Sequence, residues 1–275
     1  MMYRSCKHVL GLAWLLSLLS STAASGADDG APITYFNPPL IRLDDGISMH
    51  KDIYLAPLSW SREYHGREME VNFQISAKVQ LFNSNLYFAF TQKSFWQAYN
   101  GTQSSPFRET NYNPEIFYRI APRGPWLHNW GMDIGVEHES NGQALPGSRS
   151  WNRVYVTPYF PRRHDLLHVK FWYRIPEPRR HHPLDAEGDD NPDIEHYLGY
   201  AELRYLKRFQ DGDLMALMLR GNAERGRGAF QLNYDVPGRS KDMYYRFSLW
   251  HGYGETLIDY DRSLTRLSIG VSFFR

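Results

Sequence analysis

The feature that most constrains this chain is an alternation of apolar and polar residues with a period of two. From Glu70 to Val79 it runs unbroken. Val71, Phe73, Ile75, Ala77 and Val79 fall on one face of an extended chain, and Glu70, Asn72, Gln74, Ser76 and Lys78 fall on the other. Weaker copies follow at Leu86-Phe88-Phe90, Met132-Ile134-Val136, Leu167-Val169-Phe171-Tyr173, Ala201-Leu203-Tyr205, Phe230-Leu232-Tyr234, Tyr245-Phe247-Leu249 and Leu267-Ile269-Val271-Phe273. Turn-forming pieces such as Asp211-Gly212-Asp213 and Val236-Pro237-Gly238 separate them at intervals that suit hairpins. The chain therefore reads as one all-β unit of antiparallel strands. Two architectures fit it: a soluble sandwich or barrel with the apolar faces inward, or a transmembrane barrel with those faces turned to lipid.

Periodicity does not separate the two, and composition leans toward the membrane. Aromatic residues make up 15% of the chain, as girdles at two membrane interfaces require, and the polar strand faces carry charges suited to a wet lumen. Outside the N-terminus no apolar run is long enough for a spanning helix. A net charge of +1 is too balanced for a nucleic-acid binder that works by neutralising phosphates. The single cysteine, Cys6, forms neither an internal disulfide nor a thiolate metal site.

Cys6 also lies in what reads as a cleaved secretory signal over residues 1–27. Arg4, Lys7 and His8 precede a short apolar stretch from Val9 to Leu19, and small residues from Thr22 to Ala27 suit cleavage. The mature chain then has no thiol, which fits an oxidising compartment. Residues 28–50 read as an N-terminal extension and 51–275 as the barrel.

The residues with chemical potential lie between Val136 and Val156. His138 and Ser140 stand two and four positions beyond Val136 and so share its face. Asn141-Gly142 and Pro146-Gly147 turn the chain, and the returning strand carries Asn152, Val154 and Val156 with matching parity, so an antiparallel register can set Asn152 beside His138. Glu137, Glu139, Arg149 and Arg153 fall to the opposite face. A serine hydroxyl needs a base to take its proton, and a histidine serves when a third group fixes its ring. Asparagine can accept the ring N–H but has no charge to stabilise an imidazolium, so it orients more than it stabilises. A serine two residues from a histidine is also what a polar hairpin end looks like. Farther on, Pro176 to Pro192, with Arg179-Arg180-His181-His182 and Asp189-Asp190, reads as an extended surface loop; its paired histidines lack a third ligand at a fixed spacing.

His138-Glu139-Ser140-Asn141-Gly142 followed by Ser148-Arg149-Ser150-Trp151-Asn152-Arg153 closely resembles the active-site hairpin of the outer-membrane phospholipase A family. Leu86 to Gln92, Trp96-Gln97, Ser104 to Tyr112, Asp189 to Ile194 and Gly252 to Tyr260 resemble further segments of that family in the same order, so the likeness runs from about residue 50 to the end. The resemblance implies a twelve-stranded antiparallel barrel in a Gram-negative outer membrane that hydrolyses acyl esters of phospholipids. It implies Ser140 as nucleophile, His138 as general base, Asn152 as the orienting residue and the Gly142 amide as an oxyanion donor. It also implies a Ca2+ cofactor bound by the Ser148 hydroxyl, the Gln143 carbonyl and Ser104 from a second copy, with Asp190 in a second calcium site used by the monomer. Gln92 would then be a dimer contact, making the active form a homodimer and the resting form a monomer. Two departures stand out: Gln143 stands where a member of the family has Arg, and Arg275 follows the terminal aromatic pair. The competing readings are a passive or structural pore and a soluble exported serine hydrolase.

Overall fold

The computed structural model describes residues 36–43, 46–64, 67–122, 129–179 and 188–273; the signal segment, the His181-His182 pair and Arg275 lie outside the described residues. Thirteen strands follow one another: β1 (Ile47–Met49), β2 (Ile53–Trp60), β3 (Met69–Leu81), β4 (Leu86–Trp96), β5 (Phe107–Ile120), β6 (Gly131–Ser140), β7 (Ser150–Pro161), β8 (Asp165–Ile175), β9 (Ala201–Arg208), β10 (Leu214–Asn222), β11 (Arg227–Pro237), β12 (Met243–Gly252) and β13 (Leu264–Phe273). Each pairs antiparallel with its sequence neighbours from β2 onward, and β13 returns to β2, so twelve strands close on themselves. The short β1 pairs with β3 beyond the end of β2, so Ile47–Met49 belongs to the barrel wall.

The faces are inverted relative to a soluble barrel. On β3, Glu70, Ser76 and Lys78 are buried while Ile75 is 52% exposed; on β13, Arg266 and Ser272 are buried while Leu267 and Ile269 stand open. Alternation thus presents an apolar outer face, which is stable only in a hydrocarbon solvent. Closure leaves no unpaired edge, as lipid demands.

The lumen holds paired charges. Arg119 bonds Asp133 at 2.6 Å, Arg246 bonds Asp235 at 2.7 Å, and Arg266 grips Glu255 at 2.8 Å while reaching Glu70 at 3.3 Å. Both mouths are closed by the chain itself. At the end carrying the longer loops, 97–106, 141–149, 176–200 and 253–263, Ile194, Leu198, Leu257 and Tyr260 join Trp151 and Trp172 in one buried cluster that extends down the lumen to Tyr87 and Phe117. At the end of the short turns, Phe36 and Ile41 pack on Tyr159, Leu166 and Leu214. Lys78 Nζ donates to the Pro39 carbonyl at 2.6 Å, and the Arg119 guanidinium to that of Leu40 at 2.8 Å. Between them a polar cavity of about 170 Å3 remains. Long loops outside and short turns inside give the usual sidedness of such a barrel.

Candidate active site

The site is built where β5, β6 and β7 run side by side. β6 and β7 pair without a shift, setting His138 across from Asn152 and Ser140 across from Ser150. The His138 ring and Asn152 are bonded, Nδ1 to Oδ1, at 2.9 Å. Their neighbours along the same face, Ile134, Val136 and Val154, are exposed to the bilayer side, whereas Glu137 and Arg153 are buried in the lumen 3.0 Å apart. Ser140 shares the face of His138 and is half-buried. Among the described residues no hydrogen bond joins its hydroxyl to the ring. Such bonds commonly tighten only when substrate arrives.

On the other side of β6 the ladder has a missing rung. The register from Tyr112↔Ser140 to Glu115↔Glu137 sets Pro114 opposite His138. Proline has no N–H to give, and the Asn113 side chain fills in by donating Nδ2 to the His138 carbonyl at 2.9 Å. Asn113 is itself held from the lumen by Lys51 Nζ, 2.9 Å from its Oδ1. The backbone at the histidine is thereby fixed by side chains where the sheet alone would leave it unpaired.

Past Ser140, the loop is organised by one buried residue. Asn141 Oδ1 accepts the Arg149 amide at 2.9 Å and the Gln143 amide at 3.3 Å, and its Nδ2 donates to the Gly147 carbonyl at 2.8 Å. Gly142 has φ +63, in the left-handed region, and a Cβ there would lie 3.2 Å from the Tyr112 ring. Backbone conformation and space both call for glycine at this point. The Gln143 side chain donates to Glu109 Oε2 at 2.6 Å, a use of this position that tethers the loop to the lumen wall.

Ser148 Oγ donates to Asp190 Oδ2 at 2.7 Å, and Ser150 Oγ lies 3.4 Å from the same oxygen. Hydroxyl, carbonyl and carboxylate oxygens are the donors calcium prefers, so this corner fits a hard cation. Among the described residues no group of three or more His, Cys, Asp or Glu side chains could hold a metal; a site of hydroxyls, carbonyls and one carboxylate is not of that kind. Ser104 is exposed in the loop after β4, with φ 59. Gln92 continues the outward face of β4, and its Nε2 donates to Ser94 Oγ at 3.1 Å, which Thr110 Oγ1 also reaches at 3.1 Å. The amide expected to face lipid is thus partly satisfied by its own strand.

Sequence reasoning passed over Asn113, Pro114 and Glu177. The last accepts Asn152 Nδ2 at 2.9 Å. The available signals were a proline inside a strand and the Pro176-Glu177-Pro178 triplet.

A closed barrel with charges inside, apolar residues outside and a polar trio on the lipid side is an integral outer-membrane β-barrel protein. The chain belongs to the phospholipase A1 family, whose model matches residues 46–273. It is 37% identical over 231 residues to phospholipase A1 of Escherichia coli K12, covering 79% of this chain and 73% of that protein, and 36% identical over 230 residues to that of Salmonella typhimurium, with the same shares covered. Its fold is similar to the Escherichia coli outer membrane phospholipase A structure, with a TM-score of 0.73 and 31% identity over 82% of this chain and 98% of that one. It is likewise similar to the Salmonella typhi outer membrane phospholipase dimer with bound calcium, with a TM-score of 0.74 and 30% identity over 86% and 95%. The chain is accordingly a phospholipase of a Gram-negative outer membrane.

Proposed function

We propose that this phospholipase is a calcium-dependent serine esterase, active as a homodimer, whose Ser140, His138 and Asn152 cleave acyl esters of phospholipids from the lipid side of the wall. The observation that carries the reading is the His138–Asn152 bond on the outer face, in line with the exposed Ile134, Val136 and Val154. Polar groups set among lipid-facing apolar residues are costly and mark function.

In the proposed reaction His138 Nε2 takes the proton from Ser140 Oγ as that oxygen bonds to the acyl carbon, and the carbonyl electron pair moves onto its oxygen. The Gly142 N–H donates to that oxyanion. As the tetrahedral species collapses, the C–O bond to the lysophospholipid breaks and the leaving oxygen takes the proton from His138. Water, deprotonated by His138, then releases the fatty acid and restores Ser140. The Ser148 hydroxyl, the Gln143 carbonyl and Ser104 from a second copy would hold calcium, which when bound would supply positive charge to stabilise an oxyanion. Asp190, on the Ser148 hydroxyl, would hold it in the monomer. Gln92, held by Ser94, would be the polar contact by which two copies recognise each other in lipid.

Ser140→Ala and His138→Ala are each expected to abolish fatty-acid release from mixed micelles while heat-modifiable migration of the barrel on gels is kept; full hydrolysis by either variant sinks the assigned roles. A chelator should silence the wild type. The pore reading loses support from the ion-paired lumen and the two closed mouths.

A further inference from the structure

The third member of the trio is an amide, and an amide alone does not decide which ring nitrogen of a histidine carries the proton. Its oxygen accepts and its NH2 donates, and a half-turn about the last side-chain bond exchanges them. If the NH2 faced the ring, Nδ1 would have to be bare and the proton would sit on Nε2, the nitrogen that must be free to act as base. Something has to forbid that arrangement.

Glu177 does so. It lies two residues beyond Ile175, which faces Asn152 across the β7–β8 register, and so continues the outward face of β8 past the strand's end. Its Oε1 accepts Asn152 Nδ2 at 2.9 Å while Asn152 Oδ1 meets His138 Nδ1 at 2.9 Å. A carboxylate only accepts, so it pins the NH2 toward itself and leaves the oxygen toward the ring. Pro176 and Pro178 flank it, and each fixes its own φ, so the carboxylate is presented by a stiffened backbone. We propose that Glu177 is a positioning residue that sets the orientation of the Asn152 amide and hence the Nδ1–H tautomer of His138. It also places a negative charge one amide away from the ring, polarising the chain of bonds in a setting bordered by lipid. The role rests on the proposed function of His138 as base, and it gives the start of the long β8–β9 loop a task.

The test compares the full-length barrel in micelles with Glu177→Gln, which keeps the size and an acceptor but adds a donor and removes the charge, and with Glu177→Asp. For Glu177→Gln, kcat should fall on the order of 10- to 100-fold, the span of one charge-assisted hydrogen bond, with KM unchanged. In 15N spectra of histidine-labelled protein, the His138 ring should shift from the Nδ1–H form to a mixture of the two tautomers. Glu177→Asp should recover part of the rate and the wild-type tautomer. Heat-modifiable migration identifies folded samples. Wild-type kcat and tautomer in folded Glu177→Gln would overturn the assignment, as would a lower rate with the Nδ1–H form intact. Ser140→Ala measured beside it separates the two failures: if that variant remains active, the triad reading has failed, and if it is dead while Glu177→Gln is normal, only the role of Glu177 has.

Discussion

On a single strand, β13, the inner and outer faces hold polar and apolar groups under opposite conditions. Inside, Arg266 has Glu255, Glu70 and Ser59 within reach, with the Ser59 contact at 3.3 Å. Outside, Leu267 and Ile269 meet nothing but solvent lipid. Among the described residues the outer wall departs from this rule at His138, Ser140 and Asn152, at Gln92 with Ser94 and Thr110, and at His251 with Thr265. The charged groups inside are ion-paired, as Arg119, Arg246 and Arg266 are, whereas the outward serine has a hydroxyl with no bond to its neighbouring base. The inner charges are tied to opposite charges, and under the proposed function the outward hydroxyl is left for substrate.

Perturbations should sort by face. The largest loss of stability is expected inside: Arg266→Ala leaves Glu255 buried without its cation, while Glu70 keeps Arg108 at 3.1 Å, a cost of about 3–5 kcal/mol, read as a drop in the denaturant midpoint of the folded band. Next comes the site. Gly142→Val forces a β-branched residue into a left-handed backbone against Tyr112, and kcat should fall about 100- to 1000-fold, the worth of one oxyanion donor, with the folded band retained. Ile269→Lys puts a charge on the lipid face and should cost about 2–4 kcal/mol, whereas hydrolysis per folded molecule should stay near wild type. An equal loss from Ile269→Lys and Arg266→Ala would break the comparison less than a silent Arg266→Ala, which would show the lumen pairs to be idle. The smallest effect belongs to Gln92→Leu: self-association in micelles, measured by sedimentation, should weaken by about 0.6–1.7 kcal/mol, the range for a hydrogen bond between membrane segments.

Much of this contrast is written in the alternation. Glu70 to Val79 reads correctly as a two-faced strand, and parity alone brings His138 and Asn152 to the same face. β10 is harder to read because Leu214-Met215-Ala216-Leu217-Met218-Leu219 is apolar on both sides. The reason is that Leu214 and Met218 point inward, into apolar clusters near the mouths. β5 hides for the converse reason: its first half is polar on both faces, and Pro114 interrupts it. The segments that close the mouths have no period at all. Ile194 and Leu257 sit among Asp, Pro, Gly and Glu, and their burial is set by long-range packing that no local pattern encodes. Glu177 escapes notice for the same reason, since its partner lies 25 residues away.

The stoppered ends have a consequence for the cell. With Phe36 and Ile41 folded into one opening and Ile194, Leu198, Leu257 and Tyr260 into the other, this cylinder is a plugged vessel and not a conduit. Raising its abundance adds esterase to the envelope without adding leak, so planar bilayers loaded with it should stay electrically quiet.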